Sequence, residues 1–260
     1  MIKLFRKIRG KMLTENKFSK YLLYAFGEIL LVVIGILLAL QINSWNQQRM
    51  EDKKEVELLY GLKDEFHYNL ITLAESIKGN KKVTEYCVNL TLLIRSDSIL
   101  NSPEIIDQLL IDIGGFSSFD ARTGISGEIV NSGKLSILKN DLLQVQLGNW
   151  LTLLADAEED ILFRSDNYTM NLMPFLMKRF PLANGELTKK LAFDKNNYLE
   201  VYKEKSPFEF DLSQKDLMEF ENQIWHHKHN HDYVIINELN IRDFIMTTIK
   251  MIDEELNKNE

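Results

Sequence analysis

Cysteine, proline and glycine are scarce in this chain: one, four and twelve of them in 260 residues. A single thiol, Cys87, excludes an intrachain disulfide framework, and its surroundings read as a small buried hydrophobe. So few helix breakers, beside abundant Leu, Ile, Glu and Lys, exclude a many-stranded fold with frequent tight turns and predict long helices. There is no excess of positive charge either. The formal net charge is −7, which argues against a nucleic-acid partner. A nucleophile motif, a zinc-protease motif, a Gly-rich dinucleotide loop and a Cys-x-x-Cys pair are also missing, so the sequence predicts neither an enzyme nor a cofactor.

The closest approach to a catalytic signature is Gly127-Glu-Ile-Val-Asn-Ser-Gly133-Lys134. It has five residues between the glycines and Leu135 after the lysine. A phosphate loop needs four and then Ser or Thr, so that backbone N–H groups converge on the phosphates. The stretch reads instead as a helix-turn-helix corner.

What the chain does have is one long apolar run, Tyr21 to Ile42, interrupted by a single carboxylate, Glu28. Twenty helical residues at about 1.5 Å each span the roughly 30 Å hydrocarbon core of a bilayer. Seven basic residues against one acid within positions 1–20 predict a cytoplasmic N-terminus by the positive-inside rule. A cleaved signal peptide is the competing reading. The length of the run and the lack of an A-x-A-like site favour an uncleaved signal anchor. Residues 1–20 read either as a basic amphipathic helix on anionic headgroups or as a tail that only sets topology.

A charge at mid-membrane costs about 2.5–3.5 kcal/mol, and the ten large aliphatics from Ile29 to Leu40 return about 0.3–0.6 kcal/mol each, so the span inserts. At helical spacing Glu28, Gly35 and Ala39 share a face with Tyr21, Tyr24 and Ala25. Gly35-x-x-x-Ala39 is a small-residue pair that admits a second helix. The face reads as a seam for a homo-oligomer or a membrane-protein partner; the alternative is a protonated or headgroup-directed Glu28 beside small residues met by chance.

The run FRKIRGKMLTENKFSKYLLYAFGEILLVVIGILLALQINSWNQQR, with Gly27-Glu28 in the span and Asn43-Ser44-Trp45-Asn46 after it, resembles the start of an uncharacterised bacterial family of single-span membrane proteins. Asn131 to Asn140, NSGKLSILKN, resembles that family's mid-chain motif. The resemblance brings no activity. It implies a helical extracytoplasmic region behind one anchor in the bacterial inner membrane.

Three segments are expected: a basic cytoplasmic segment at 1–20, a signal-anchor helix at 21–42, and an extracytoplasmic helical domain at 43–260 with an irregular region at about 174–212. The fold class is all-α, the transmembrane helix continuing into a bundle of long helices. Val56, Leu59, Leu62, Phe66, Leu70, Leu73 and Ile77 form an apolar stripe, for a core or a coiled-coil stalk. Gly79-Asn80 predicts a break, with a second helix over Val83 to Ile94 after it. Ser102-Pro103 opens a short helix, Gly133 ends another in the left-handed conformation, and Asn140 or Asp141 caps a helix reaching about Leu172 before Pro174. Asp156, Glu158, Glu159 and Asp160 read as a solvated face. Ser213-x-x-Asp216 reads as a capping box for the last helix.

Inside that last helix lies His226-His227-Lys228-His229-Asn230-His231. His227 and His231, four apart, present two imidazoles on one face and are candidate metal ligands, with a third ligand to come from Asp232, Glu238 or His67. The alternative places both rings in the core stripe with His226 and His229 solvated. Two function readings result: a membrane-anchored structural or protein-interaction module, and a ligand- or metal-binding sensor using the His226–His231 region.

Overall fold

The computed structural model describes residues 18–96, 99, 103–188, 204–210 and 212–258. Among these there is no strand, and the chain is all-α. The elements are α1 (Phe18–Ile94), α2 (Pro103–Ile113), α3 (Gly124–Asn131), a 3-10 turn (Lys134–Ile137), α4 (Asp141–Asn167), a widened π turn (Tyr168–Leu172), α5 (Met173–Arg179), α6 (Asn184–Thr188) and α7 (Gln214–Lys258). The basic lead-in before Phe18, the cap at Ser102 and the Asn196-Asn197 loop lie outside the described residues.

Two compact units divide at Glu57/Leu58. In the first, α1 carries the apolar run, and every side chain from Ile29 to Met50 is exposed. By length and composition this helix can cross a membrane.

In the second unit the predicted stripe of α1 is core: Leu59, Leu62, Phe66 and Leu73 are fully buried. Leu143, Leu147 and Trp150 of α4 and Ile241, Ile245 and Ile252 of α7 are buried in the same unit. Phe66 packs tilted against Trp150 and Trp150 stacks on Phe244, with ring centroids 5.1 and 5.4 Å apart. A further core gathers Val83, Cys87 and Leu90 of α1 with Ile106 and Ile113 of α2 and Phe175, Phe220 and Ile224 beyond. Burial there pushes the Cys87 thiol up to about 12, because the apolar surroundings penalise the thiolate.

The expected break at Gly79-Asn80 does not occur. α1 runs through it without interruption to Ile94, and Gly79 has a packing role instead. A Cβ there would collide with Ser117 Oγ and sit 2.9 Å from its Cβ, so glycine is what admits the loop between α2 and α3. Gly79→Ala is therefore expected to destabilise by about 1–3 kcal/mol through overpacking, despite alanine's higher helix propensity. Pairing it with Ser117→Gly should recover most of the loss in a thermal melt.

The caps are as the sequence suggests. Gly133 has φ 69°, Asn140 Oδ1 accepts from Leu143 N at 3.1 Å, and Ser213 and Asp216 bond reciprocally. Pro174 does not end the helical stretch, which continues as α5 to Arg179. It lacks an N–H and crowds the carbonyl four residues back, and the chain accommodates it by widening the preceding turn, where Met173 N–H reaches Tyr168 O. The acids of α4 are solvated as expected, except that half-buried Asp160 accepts from Asn237 at 2.5 Å.

Candidate functional site

Beside its apolar stripe α1 buries a second row, Glu65, Asn69, Ser76 and Asn80. Steps of four, seven and four keep these residues on one face of a helix. Every member has a partner far away in sequence. Glu65 accepts from the N–H groups of Ile125 (2.6 Å) and Ser126 (3.1 Å). It thereby caps α3, whose own N-cap residue Thr123 makes no side-chain bond, and its negative charge suits a helix N-terminus. Asn69 brackets Arg122, donating to its carbonyl and accepting from its N–H, both at 2.8 Å. Arg122 is turned outward, its guanidinium 3.7 Å above the Tyr68 ring.

At the far end Asn80 Oδ1 accepts from Ser117 N at 3.4 Å and from Arg164 Nη1 at 3.0 Å. Arg164 also donates to the Ser117 carbonyl at 3.2 Å. The loop between α2 and α3 is thus pinned to α1 at Ser117 and Arg122, and the first turn of α3 at Ile125 and Ser126.

Asn80 does more than hold the loop. Its amide Nδ2 donates to Glu238 of α7 at 3.1 and 3.2 Å, and Ser76 Oγ donates to the same carboxylate at 2.5 Å. A buried cation on α4 and a buried anion on α7 therefore share one asparagine of α1. Burial pushes the Glu238 carboxyl up, against the hydrogen bonds from Ser76 and Asn80 and the Arg164 charge. Burial likewise pushes Arg164 down, and Glu238 opposes that shift. Glu238 is compensated first by the Ser76 and Asn80 hydrogen bonds and then by the Arg164 charge, while Glu238 is the one charge that offsets the desolvation of Arg164.

The candidate ligands His227 and His231 are brought together and buried, with ring centroids 4.8 Å apart in an edge-to-face pair. His227 Nε2 lies 2.9 Å from the Ile113 carbonyl, which can only accept, so that nitrogen carries the proton. Its Nδ1 and both His231 nitrogens have no hydrogen-bond partner among the described residues. Burial, reinforced by Arg164, pushes His227 down to about 4 and His231 to about 2. The expected third ligands are elsewhere engaged: Asp232 pairs with Lys228 at 2.6 Å, Glu238 with Ser76 and Asn80, and His67 is exposed. Among the described residues no three His, Cys, Asp or Glu side chains gather as a metal site. His226 and His229 are half-buried rather than fully solvated, His226 against Asn167 (3.0 Å) and His229 between Trp225 and Tyr233.

In the first unit Glu28 is half-buried while Gly35 and Ala39 are exposed, and a Cβ at Gly35 would meet nothing within 4 Å. The side chains of Tyr21 and Tyr24 lie outside the described residues.

A cleft of about 510 Å³ opens between the loop, α4 and α7. Its walls are mainly apolar, and Glu238 is the one member of the buried network that lines it.

No motif singles out Glu65, Asn69, Ser76, Asn80 and Arg164 in the sequence. The one signal for the four on α1 is the 4-7-4 polar spacing alongside the apolar stripe, and the stretch that holds it also matches a family model. Residues 28–156 match a family of unknown function, DUF6090. The match takes in the apolar segment from Glu28, the whole buried polar row, the pinned loop and the NSGKLSILKN motif, and stops before Arg164. No curated protein and no solved structure matches the chain.

Proposed function

We propose that this is a membrane-anchored helical protein of the DUF6090 kind, acting as a structural or protein-interaction module outside the cytoplasm. Residues 21–42 serve as an uncleaved anchor in the bacterial inner membrane, with the N-terminus cytoplasmic. The observation that carries the reading is the apolar segment of α1, whose large side chains are uncovered along its length: Leu23 is 78% and Trp45 64% exposed. Contiguous apolar surface on this scale is not left in water by soluble monomers, and a bilayer covers it at the right length. Glu28, Gly35 and Ala39 then supply a face within the membrane for a second helix, from another copy or from a membrane partner. The reading assigns the chain no catalytic step and no metal.

Two measurements test it. The full chain should resist alkaline carbonate extraction, and a cysteine placed at Lys54 should react with a membrane-impermeant maleimide added to spheroplasts while one placed at Asn16 does not. Release by carbonate, or the reverse labelling, overturns the anchor or its orientation. For the interaction role, crosslinking in native membranes should trap a dimer or a heterologous species that Gly35→Leu reduces several-fold. Recovery of monomer alone counts against it.

A further inference from the structure

We infer that the cleft between the α2–α3 loop, α4 and α7 is a binding site for a small organic cation with an apolar body, such as an arylalkylamine. This goes beyond the anchored-module reading and does not depend on it. The cleft's volume, about 510 Å³, falls in the range of small-molecule sites, which are largely apolar with a few convergent polar groups. Leu151, Ile161 and Ala155 of α4, Ile241 of α7 and Phe119 of the loop give it apolar walls.

The charged lining is of one sign. Glu238 stands at the buried end, while Asp120 on the loop and Glu158 on α4 are exposed at the mouth. Among the described residues no Lys, Arg or His lines the cleft. The two nearby guanidinium groups are committed elsewhere: Arg122 lies over Tyr68, and Arg164 is bonded to Asn80 and Ser117. An ammonium entering here meets carboxylates on three separate elements, whereas an anion meets only repulsion. Burial raises the Glu238 carboxyl, and a cation seated beside it would favour its ionised form.

The site is tied to the rest of the unit. Its loop wall is held to α1 by Asn69 and Asn80, and its innermost carboxylate by Ser76 and Asn80. A ligand that draws Glu238 or the loop inward acts directly on the polar row of α1.

The test is calorimetric titration of the full chain in phosphatidylcholine nanodiscs with 2-phenylethylamine, 2-phenylethanol and 3-phenylpropionate, against empty nanodiscs. The amine is expected to bind at least ten-fold more tightly than the alcohol, and the carboxylate more weakly still. Ala155→Phe, which fills the cleft, should abolish binding, and Glu238→Gln should reduce the preference for the amine. Asp120→Asn, on the exposed mouth where folding is not at stake, should weaken the amine several-fold without changing the alcohol. Equal affinity for amine and alcohol, amine binding that survives Ala155→Phe, indifference to Asp120→Asn, or no saturable heat overturns the inference.

Discussion

Replacing Arg164 with methionine is expected to destabilise the folded unit by about 3–5 kcal/mol, the loss of its two charge-assisted hydrogen bonds, to Asn80 and the Ser117 carbonyl, and of the cation that acts on buried Glu238. The side chain is 1% exposed and its fork is the only cation bonded to Asn80 among the described residues. Without it Glu238 remains in the interior with Ser76 and Asn80 alone, and the Ser117 carbonyl loses its donor. For a unit of roughly 200 residues, that loss lowers the melting temperature by about 6–20 °C. Arg164→Met combined with Glu238→Gln should be less damaging than Arg164→Met alone, because two neutral groups need no compensation for buried charge. Circular-dichroism melts of the two variants decide the matter. A single-variant loss below about 1 kcal/mol would mean that water already screens the pair.

Acidification should destabilise the protein through its two buried imidazoles. An unperturbed histidine titrates near 6.5, whereas His227 is lowered to about 4 and His231 to about 2. Between about pH 6.5 and 4 the unfolded chain takes up protons that the folded chain refuses. Stability is therefore complete above about pH 6.5 and falls as pH drops through that window. The loss reaches about 3 kcal/mol per ring at pH 4, at 1.36 kcal/mol per pH unit. Arg164 and His226 face the pair and add to the refusal. Tyr168, with its ring 5.3 Å from His227, stays neutral throughout. Glu238 works the other way: its raised pKa lets the folded state bind a proton first, which offsets part of the loss. The check is melting temperature against pH for the native chain beside a His227→Phe, His231→Leu variant. A native curve as flat as that of the variant would show that the rings are hydrated.

The features legible in the residues alone are those that obey a local rule. The 3- and 4-residue steps from Leu59 to Ile77 and from Phe220 to Leu256 fix which side of each helix is core, and the caps at Gly133, Asn140 and Ser213 act within a turn or two of their own position. Gly79 reads as a break because propensity marks a weak spot there. Its true reason is non-local: the close approach of Ser117, 38 residues on in the sequence, makes glycine necessary. The polar row from Glu65 to Asn80 is hidden in the same way. Asparagine and glutamate on a helix are ordinarily solvated, and only the return of the loop and of α7 reveals why these are buried. His227 and His231 are legible as a pair but not as a site, since spacing gives two rings on one face and says nothing of what α2 and α4 place opposite them.

The burial of Cys87 gives the molecule an internal clock for its own opening. A thiol pushed up to about 12 in a sealed core is inert to alkylation and to disulfide exchange while the unit is closed, because the reactive species is the thiolate. Folded copies therefore stay uncoupled under oxidising conditions, whereas copies that open far enough to release α1 from α2 become liable to cross-chain oxidation. The rate at which the native cysteine is modified thus counts unfolding events directly, with no label introduced.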